Sequence, residues 1–138
     1  MIKWFEIPAF DIQRAVKFYS TVFRVEFDME VFNEIPHAIF KKTGKAVSPG
    51  GAIVQSKEFS ASLNQVGAVL FFQTSDMSVT LEKIEDNNGV VIIPKTLIKN
   101  ISNEGKVTIP KTLIDGNTGY FAYFTDSEGN KMGLYSNS

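Results

Sequence analysis

The sequence predicts an α+β protein made of two βαβββ modules whose halves pair around a cleft. Three observations carry this prediction. An apolar, aromatic run opens each half, at residues 2–8 and again at Ala68-Val69-Leu70-Phe71-Phe72. Each run is followed by an aspartate suited to cap a helix, Asp11 and Asp76, which stand 65 positions apart. Behind each aspartate a helical stripe gives way to three further short strand-like runs, the pattern of a divergent duplication.

Residues 2–8 end at Pro8, which cannot donate to a ladder, so a first strand is expected to stop there. Asp11 offers a side-chain oxygen to the start of a helix, and Ile12, Ala15, Val16, Tyr19, Val22 and Phe23 recur at helical spacing. That stripe should bury against the sheet. Strands are expected near 25–31, 36–41 and 50–55, separated by Asn33-Glu34, Thr43-Gly44-Lys45 and Ser48-Pro49-Gly50-Gly51, all turn chemistry. In the second half Asp76 caps a helix that carries Met77, Leu81 and Ile84 and ends near Asn87-Asn88-Gly89. Strands near 90–98, 119–125 and 131–136 complete it. One domain results, with half-modules 1–55 and 67–138 joined by a linker at 56–66.

Composition narrows the function. At 138 residues with 43% hydrophobic and 21% charged residues, the chain has the make-up of a globular domain with a core. Fourteen basic against 15 acidic residues give a net charge of −1 and no basic stripe for phosphates, so nucleic acid is not an expected partner. No apolar run reaches the roughly 20 residues needed to span a bilayer, and the start of the chain lacks a signal-peptide h-region, so a soluble, cytoplasmic protein without a membrane partner is expected. The absence of cysteine removes disulfides, thiolate nucleophiles and sulfur-ligated zinc. One histidine and no cysteine also leave few ways to build a nucleophilic triad.

A sharper repeat lies in the second half. Ile93-Pro94-Lys95-Thr96-Leu97-Ile98 recurs as Ile109-Pro110-Lys111-Thr112-Leu113-Ile114, and Asn87, Gly89 and Val91 recur at Asn103, Gly105 and Val107, all offset by 16. Tandem copying explains this better than convergence. The simplest expectation is a hairpin insertion around 90–114, either a tolerated surface extension or an added edge for pairing or for covering a pocket.

Two stretches carry a family likeness: Phe5-Glu6-Ile7-Pro8 with Asp11, Arg14-Ala15 and Phe18-Tyr19, and Asp126-Ser127-Glu128-Gly129-Asn130-Lys131-Met132-Gly133-Leu134. Together they resemble the glyoxalase/bleomycin-resistance/dioxygenase superfamily, also called vicinal oxygen chelate proteins. The resemblance implies a curled, half-open mixed sheet around the cleft with helices outside, and a homodimer. It further implies one divalent metal held by four inward-facing ligands, commonly His and Glu, from the first and fourth strands of each half. Counted from the two capping aspartates, the first-strand positions fall on Trp4 and Val69. The last-strand position falls on Gly133, and its first-half counterpart on Gly51 or Ala52. None is a metal donor, so no metal and no cofactor is expected unless the ligand positions lie elsewhere.

Strand alternation puts Trp4 and Glu6 on one face and Lys3, Phe5 and Ile7 on the other. If the family's ligand face is the cavity face, Glu6 enters the cavity beside Trp4, with Val69, Phe71 and Gln73 from the second half and Gly133 and Tyr135 from the last strand. Glu6 is the catalytic candidate, as a general base or as an anchor for a cationic or hydroxyl-bearing ligand; the alternative is a carboxylate that only fixes the sheet. Trp4, Glu6, His37, Phe71, Gln73, Tyr123 and Tyr135 are the candidate ligand-binding residues, although each aromatic taken alone fits the core equally well. The first functional expectation is a protein that binds a small organic molecule in an aromatic cleft without the usual metal. The second is a metal-dependent lyase or dioxygenase acting on a vicinal-oxygen substrate. The third is a sequestering or interaction module that uses the duplicated hairpin. Stoichiometric metal separates the second from the others, and hairpin deletion separates the third.

Overall fold

A computed structural model describes residues 1–42, 49–57, 67–98 and 119–138. The elements run β1 (Trp4–Ala9), α1 (Ile12–Phe23), β2 (Phe27–Phe32), β3 (Ile35–Phe40), β4 (Gly50–Gln55), β5 (Phe71–Gln73), α2 (Met77–Asp86), β6 (Val90–Leu97), β7 (Tyr120–Thr125) and β8 (Lys131–Ser136). They form two four-stranded mixed sheets, ordered β1-β4-β3-β2 and β5-β8-β7-β6, neither closed into a barrel. In each, the first strand pairs in parallel with the last of its module, and the other neighbours are antiparallel. The repeated βαβββ order is the one the two capping aspartates predict.

Both caps form as the sequence dictates. Asp11 accepts a hydrogen bond from the Arg14 amide at 3.1 Å, and Asp76 accepts from the Val79 amide at 3.2 Å. Helix α1 buries Ile12, Ala15, Phe18, Tyr19 and Val22 and ends at Arg24, which takes a left-handed conformation with φ 54°. Asn33 and Glu34 both have positive φ, 50° and 64°, as the tight turn between β2 and β3 requires. In the closing turn only Gly129 does so, at 89°, although Asn130 also suited that conformation by type.

Three boundaries differ from expectation. Pro8 lies inside β1 rather than at its end, because β1 is an edge strand whose one ladder, to β4, leaves its other side free of any donor requirement. The second strand starts at Phe27, after the chain has turned at Arg24. Strand β5 covers only Phe71–Gln73, since it too is an edge strand held by three residue pairs to β8. The first copy of the 16-residue repeat belongs to β6, which pairs with β7 through register shifts around Ile93 and Thr96. The second copy, and most of the 56–66 linker, lie outside the described residues.

The core is shared by the two modules through α1. The Tyr19 ring meets Phe40 of β3 at 5.9 Å and Phe72 of β5 at 5.7 Å, while Phe18 reaches Phe124 of β7 at 6.3 Å. Ile7, Ala38, Ile53, Ala122, Phe124 and Leu134 are fully buried on the sheet faces that meet the helices. Among the described residues no helix is long and apolar enough to cross a membrane.

Candidate functional site

Alternation fixes which side chains face away from the helices. In β1, Ile7 and Ala9 are buried, while Trp4 and Glu6 are exposed on the opposite face. In β3, Ala38 and Phe40 turn to the core, which leaves His37 on the same side as Glu6. In the second sheet Phe72, Phe124 and Leu134 face inward, so Phe71, Gln73, Tyr123, Gly133 and Tyr135 share the outer face. All seven candidate residues therefore lie on the faces opposite the helices, but they fall into two groups.

The first group is Trp4, Glu6 and His37. His37 Nδ1 lies 2.8 Å from the Ile35 carbonyl oxygen, which can only accept, so Nδ1 carries the proton of that bond. Its Nε2 then faces Glu6 Oε2 at 3.9 Å, and the Phe32 ring stands edge-on at 5.0 Å. The Glu6 side chain is 51% exposed, so it is not the desolvated carboxylate that a general base would use to best effect. The Trp4 ring covers Gly50, where an added Cβ would come within 3.0 Å of it.

The second group is built on Phe71. Its ring meets Tyr123 at 5.5 Å and covers Gly133, where a Cβ would come within 2.5 Å. Lys131 Nζ lies 4.7 Å from the centre of the Tyr123 ring, a cation–π contact on the same sheet. Tyr135 is buried, with its hydroxyl donating to Asn137 Oδ1 at 2.9 Å and its ring against Gly119, so it supports the wall rather than opening onto it.

The two groups flank a seam where β1 and the segment leading into β5 approach. Two clefts open along it, and both are bordered by Phe5 and Leu70. One, of about 330 Å³, includes Glu6, Pro8, Val69 and Lys131. The other, of about 380 Å³, includes Phe40, Lys42, Gly50, Phe71 and Gln73. Glu6 thus lies in one cleft, and Phe71 with Gln73 in the other. Trp4, His37, Tyr123 and Tyr135 border neither.

Register also settles which first-half position matches Gly133. Gly133 pairs with Phe71, five residues before Asp76; Glu6, five residues before Asp11, pairs with Ala52. The counterpart is therefore Ala52, and the four positions carry Trp4, Ala52, Val69 and Gly133. Besides lacking donor atoms, Gly133 has the Phe71 ring in the space where a ligating side chain would begin. Among the described residues no group of three His, Asp or Glu stands close enough to hold a metal. The described residues do not fit the family's metal.

A polar network ties the modules together, and it is built from the two stretches that carry the family likeness, although the sequence does not show that they meet. The Tyr19 hydroxyl donates to Asp126 at 2.6 Å, and Asn130 Nδ2 donates to Asp126 and to the Pro8 carbonyl, both at 2.9 Å. Arg14 makes a paired contact to Glu128, through Nε at 2.6 Å and through a terminal guanidinium nitrogen at 3.0 Å, and the Asp11 amide donates to Glu128 at 2.8 Å. Burial pushes the Asp126 carboxyl above its usual range in spite of these donors. Burial, and then the Asp126 charge, hold the Tyr19 phenol well above its ordinary value. Burial alone would raise Glu128 too, but Arg14, the Asp11 amide and Ser127 together hold it below the usual range. The hydrogen bond to Glu128 raises the Arg14 guanidinium further.

Comparison with known proteins agrees with this architecture. A glyoxylase-like domain-containing protein from Didymella fabae is 31% identical over 91 residues, which cover 64% of this chain and 68% of that protein. The chain is a member of the vicinal oxygen chelate superfamily. Solved structures of the superfamily share its fold at lower identity. A glyoxalase I mutant from Zea mays superposes with a TM-score of 0.69 at 15% identity, over 98% of this chain and 45% of the maize chain. The present chain thus spans less than half of that protein. A glyoxalase/bleomycin resistance protein from Albidiferax ferrireducens superposes at 0.63 with 14% identity, over 99% of this chain and 98% of its own. No protein-family model matches the sequence.

Proposed function

We propose that this vicinal oxygen chelate protein binds a small organic molecule in the seam between its two modules, using apolar walls in place of the metal. The observation that carries this is the cleft of about 380 Å³ bordered by Phe5, Phe40, Leu70 and Phe71, in a chain whose four ligand positions hold no donor. The volume falls within the range of about 300–1,000 Å³ usual for small-ligand sites, and walls of aromatic residues with a few polar groups suit such a ligand. Phe71 and Gln73 make direct contacts in this reading, while Trp4 and Tyr123 hold the walls by packing on Gly50 and Phe71. Glu6, with His37 behind it, accepts a donor group from a ligand in the adjoining cleft.

The test is a fluorescence titration with N-phenyl-1-naphthylamine, an uncharged apolar probe, on the wild type and on Phe71→Ala. Saturable binding that weakens at least fivefold in the variant is expected. Non-saturable binding, or equal affinity in a variant that melts like a folded protein, would overturn the proposal.

A further inference from the structure

The polar groups of the 380 Å³ cleft are of one kind. Its border contains Lys41, Lys42 and Gln73 but no acidic residue. Lys41 is already engaged, with Nζ 3.6 Å from Asp28 and 3.9 Å from Glu26 across to β2. Lys42 is not: no carboxylate lies within ion-pair distance of it among the described residues. Its stem lies over Gly50, with Cε 3.7 Å from where a Cβ on that glycine would stand, so Lys42 and the Trp4 ring cover Gly50 side by side. On the β5 side, the Gln73 carboxamide likewise has no hydrogen-bond partner among the described residues. The cleft therefore sets an ammonium and an amide donor, neither with a partner among the described residues, around aromatic walls.

We propose that the cleft takes an apolar organic anion, with its carboxylate or sulfonate drawn to Lys42 Nζ and the Gln73 amide and its body against Phe5, Phe40 and Phe71. The inference rests on the binding reading above and adds the charge of the ligand to it. Three physical points support the anion over a neutral or cationic ligand. A cation beside low-dielectric walls attracts an opposite charge more strongly than one in open water. A charge-assisted hydrogen bond from an ammonium is roughly twice as strong as a neutral one. A cationic ligand would meet Lys42 with no carboxylate on the border of the cleft to offset the repulsion. The engaged state of Lys41 matters as well, since its charge is balanced by Glu26 and Asp28 and leaves Lys42 as the cationic group on this border with no ion-pair partner among the described residues.

The experiment uses a matched pair of probes on the full chain: 1-anilinonaphthalene-8-sulfonate, and N-phenyl-1-naphthylamine, which lacks only the sulfonate. Both are titrated against the wild type, Lys42→Gln and Phe71→Ala, with melting curves to show that each variant is folded. Lys42 is exposed, so its substitution should leave the fold unchanged. The expected result is a loss of about tenfold in affinity for the sulfonate in Lys42→Gln, with the uncharged probe unchanged within twofold and the sulfonate effect shrinking as salt is raised. If Phe71→Ala weakens both probes but Lys42→Gln weakens neither, the cleft stands and the anion assignment fails. If Phe71→Ala weakens neither, the cleft reading fails and this inference falls with it.

Discussion

The hydroxyl of Tyr19 donates a 2.6 Å hydrogen bond to the carboxylate of Asp126, a residue 107 positions further along the chain. The bond joins the helix of the first module to the closing turn of the second, and both partners are fully buried. Asp126 also receives the amides of Glu128 and Asn130, each at 2.9 Å, so it organises the turn that launches β8. The two modules are therefore held by a polar clasp as well as by the aromatic core around Tyr19.

Tyr19→Phe should isolate this bond, because the ring keeps its contacts with Phe18, Phe40 and Phe72. A buried carboxylate would lose a donor that nothing replaces. The expected loss is about 1.5–3 kcal/mol of unfolding free energy, the range for hydrogen bonds to charged groups. Urea unfolding measures it; a loss below about 0.5 kcal/mol would mean that Asp126 is satisfied without Tyr19.

Stability should respond to acid through two carboxyl groups that act in opposite directions. Glu128 is held below its usual range, so its contribution is complete above the ordinary glutamate value and fades as pH falls through the lowered one. Asp126 is raised, so the folded state holds that proton to higher pH than the unfolded state, and stability declines as pH rises between the ordinary and raised values. Glu128→Gln removes the first contribution and leaves the second. The variant should lose about 1 kcal/mol at pH 7, a figure reduced because Arg14 is half exposed, and the loss should shrink toward pH 2.5. Equal losses at the two pH values would contradict this account.

Much of the architecture was legible because it is written in local chemistry. The two aspartates cap their helices by the same bond, and strand alternation put Trp4 and Glu6 on one face as read from the sequence. What could not be read was long-range. Arg14 and Glu128 both lie in the stretches that carry the family likeness, but they stand 114 positions apart and only folding brings them within 2.6 Å. The separation of Glu6 from Phe71 and Gln73 into different clefts was equally hidden, since periodicity assigns a face but not how two sheets approach each other. Lys42 was missed for the same reason: it lies two residues beyond the end of β3, where no pattern marks its direction.

His37 offers a test that its status as the only histidine makes simple. The bond to the Ile35 carbonyl requires the Nδ1–H tautomer when the ring is neutral, which leaves the Nε2 lone pair toward Glu6. Long-range ¹⁵N–¹H correlation spectra at high pH should show the Nδ1-protonated form. Finding Nε2–H instead would break both the Ile35 contact and the role given to the Glu6–His37 pair. Glu6→Gln should leave stability within about 0.5 kcal/mol, because its carboxylate is half exposed and faces the neutral His37 ring at 3.9 Å rather than a fixed charge.

In the second module the Phe71 ring stands over Gly133 and leaves no room for a side chain there. A Cβ on Gly133 would lie 2.5 Å from the Phe71 ring, closer than any relaxed contact permits, so Gly133→Ala must displace that ring or shift β8. The expected destabilisation is about 1–3 kcal/mol, the usual result of overpacking. Phe71 is itself substantially exposed, so Phe71→Ala should cost less than a core phenylalanine does. The two substitutions are predicted to be strongly non-additive: the three atoms nearest a Cβ on Gly133 all belong to the Phe71 ring, so with the ring gone the cost of Gly133→Ala should largely vanish. A double-mutant cycle by urea unfolding measures this coupling. A coupling near zero would place the strain of Gly133→Ala in the backbone rather than in the ring, and a ligating residue could then be introduced at position 133 without first removing Phe71. A large coupling means that position 133 can take a side chain only when the Phe71 ring is lost, so that the aromatic wall and a ligating residue at 133 exclude each other.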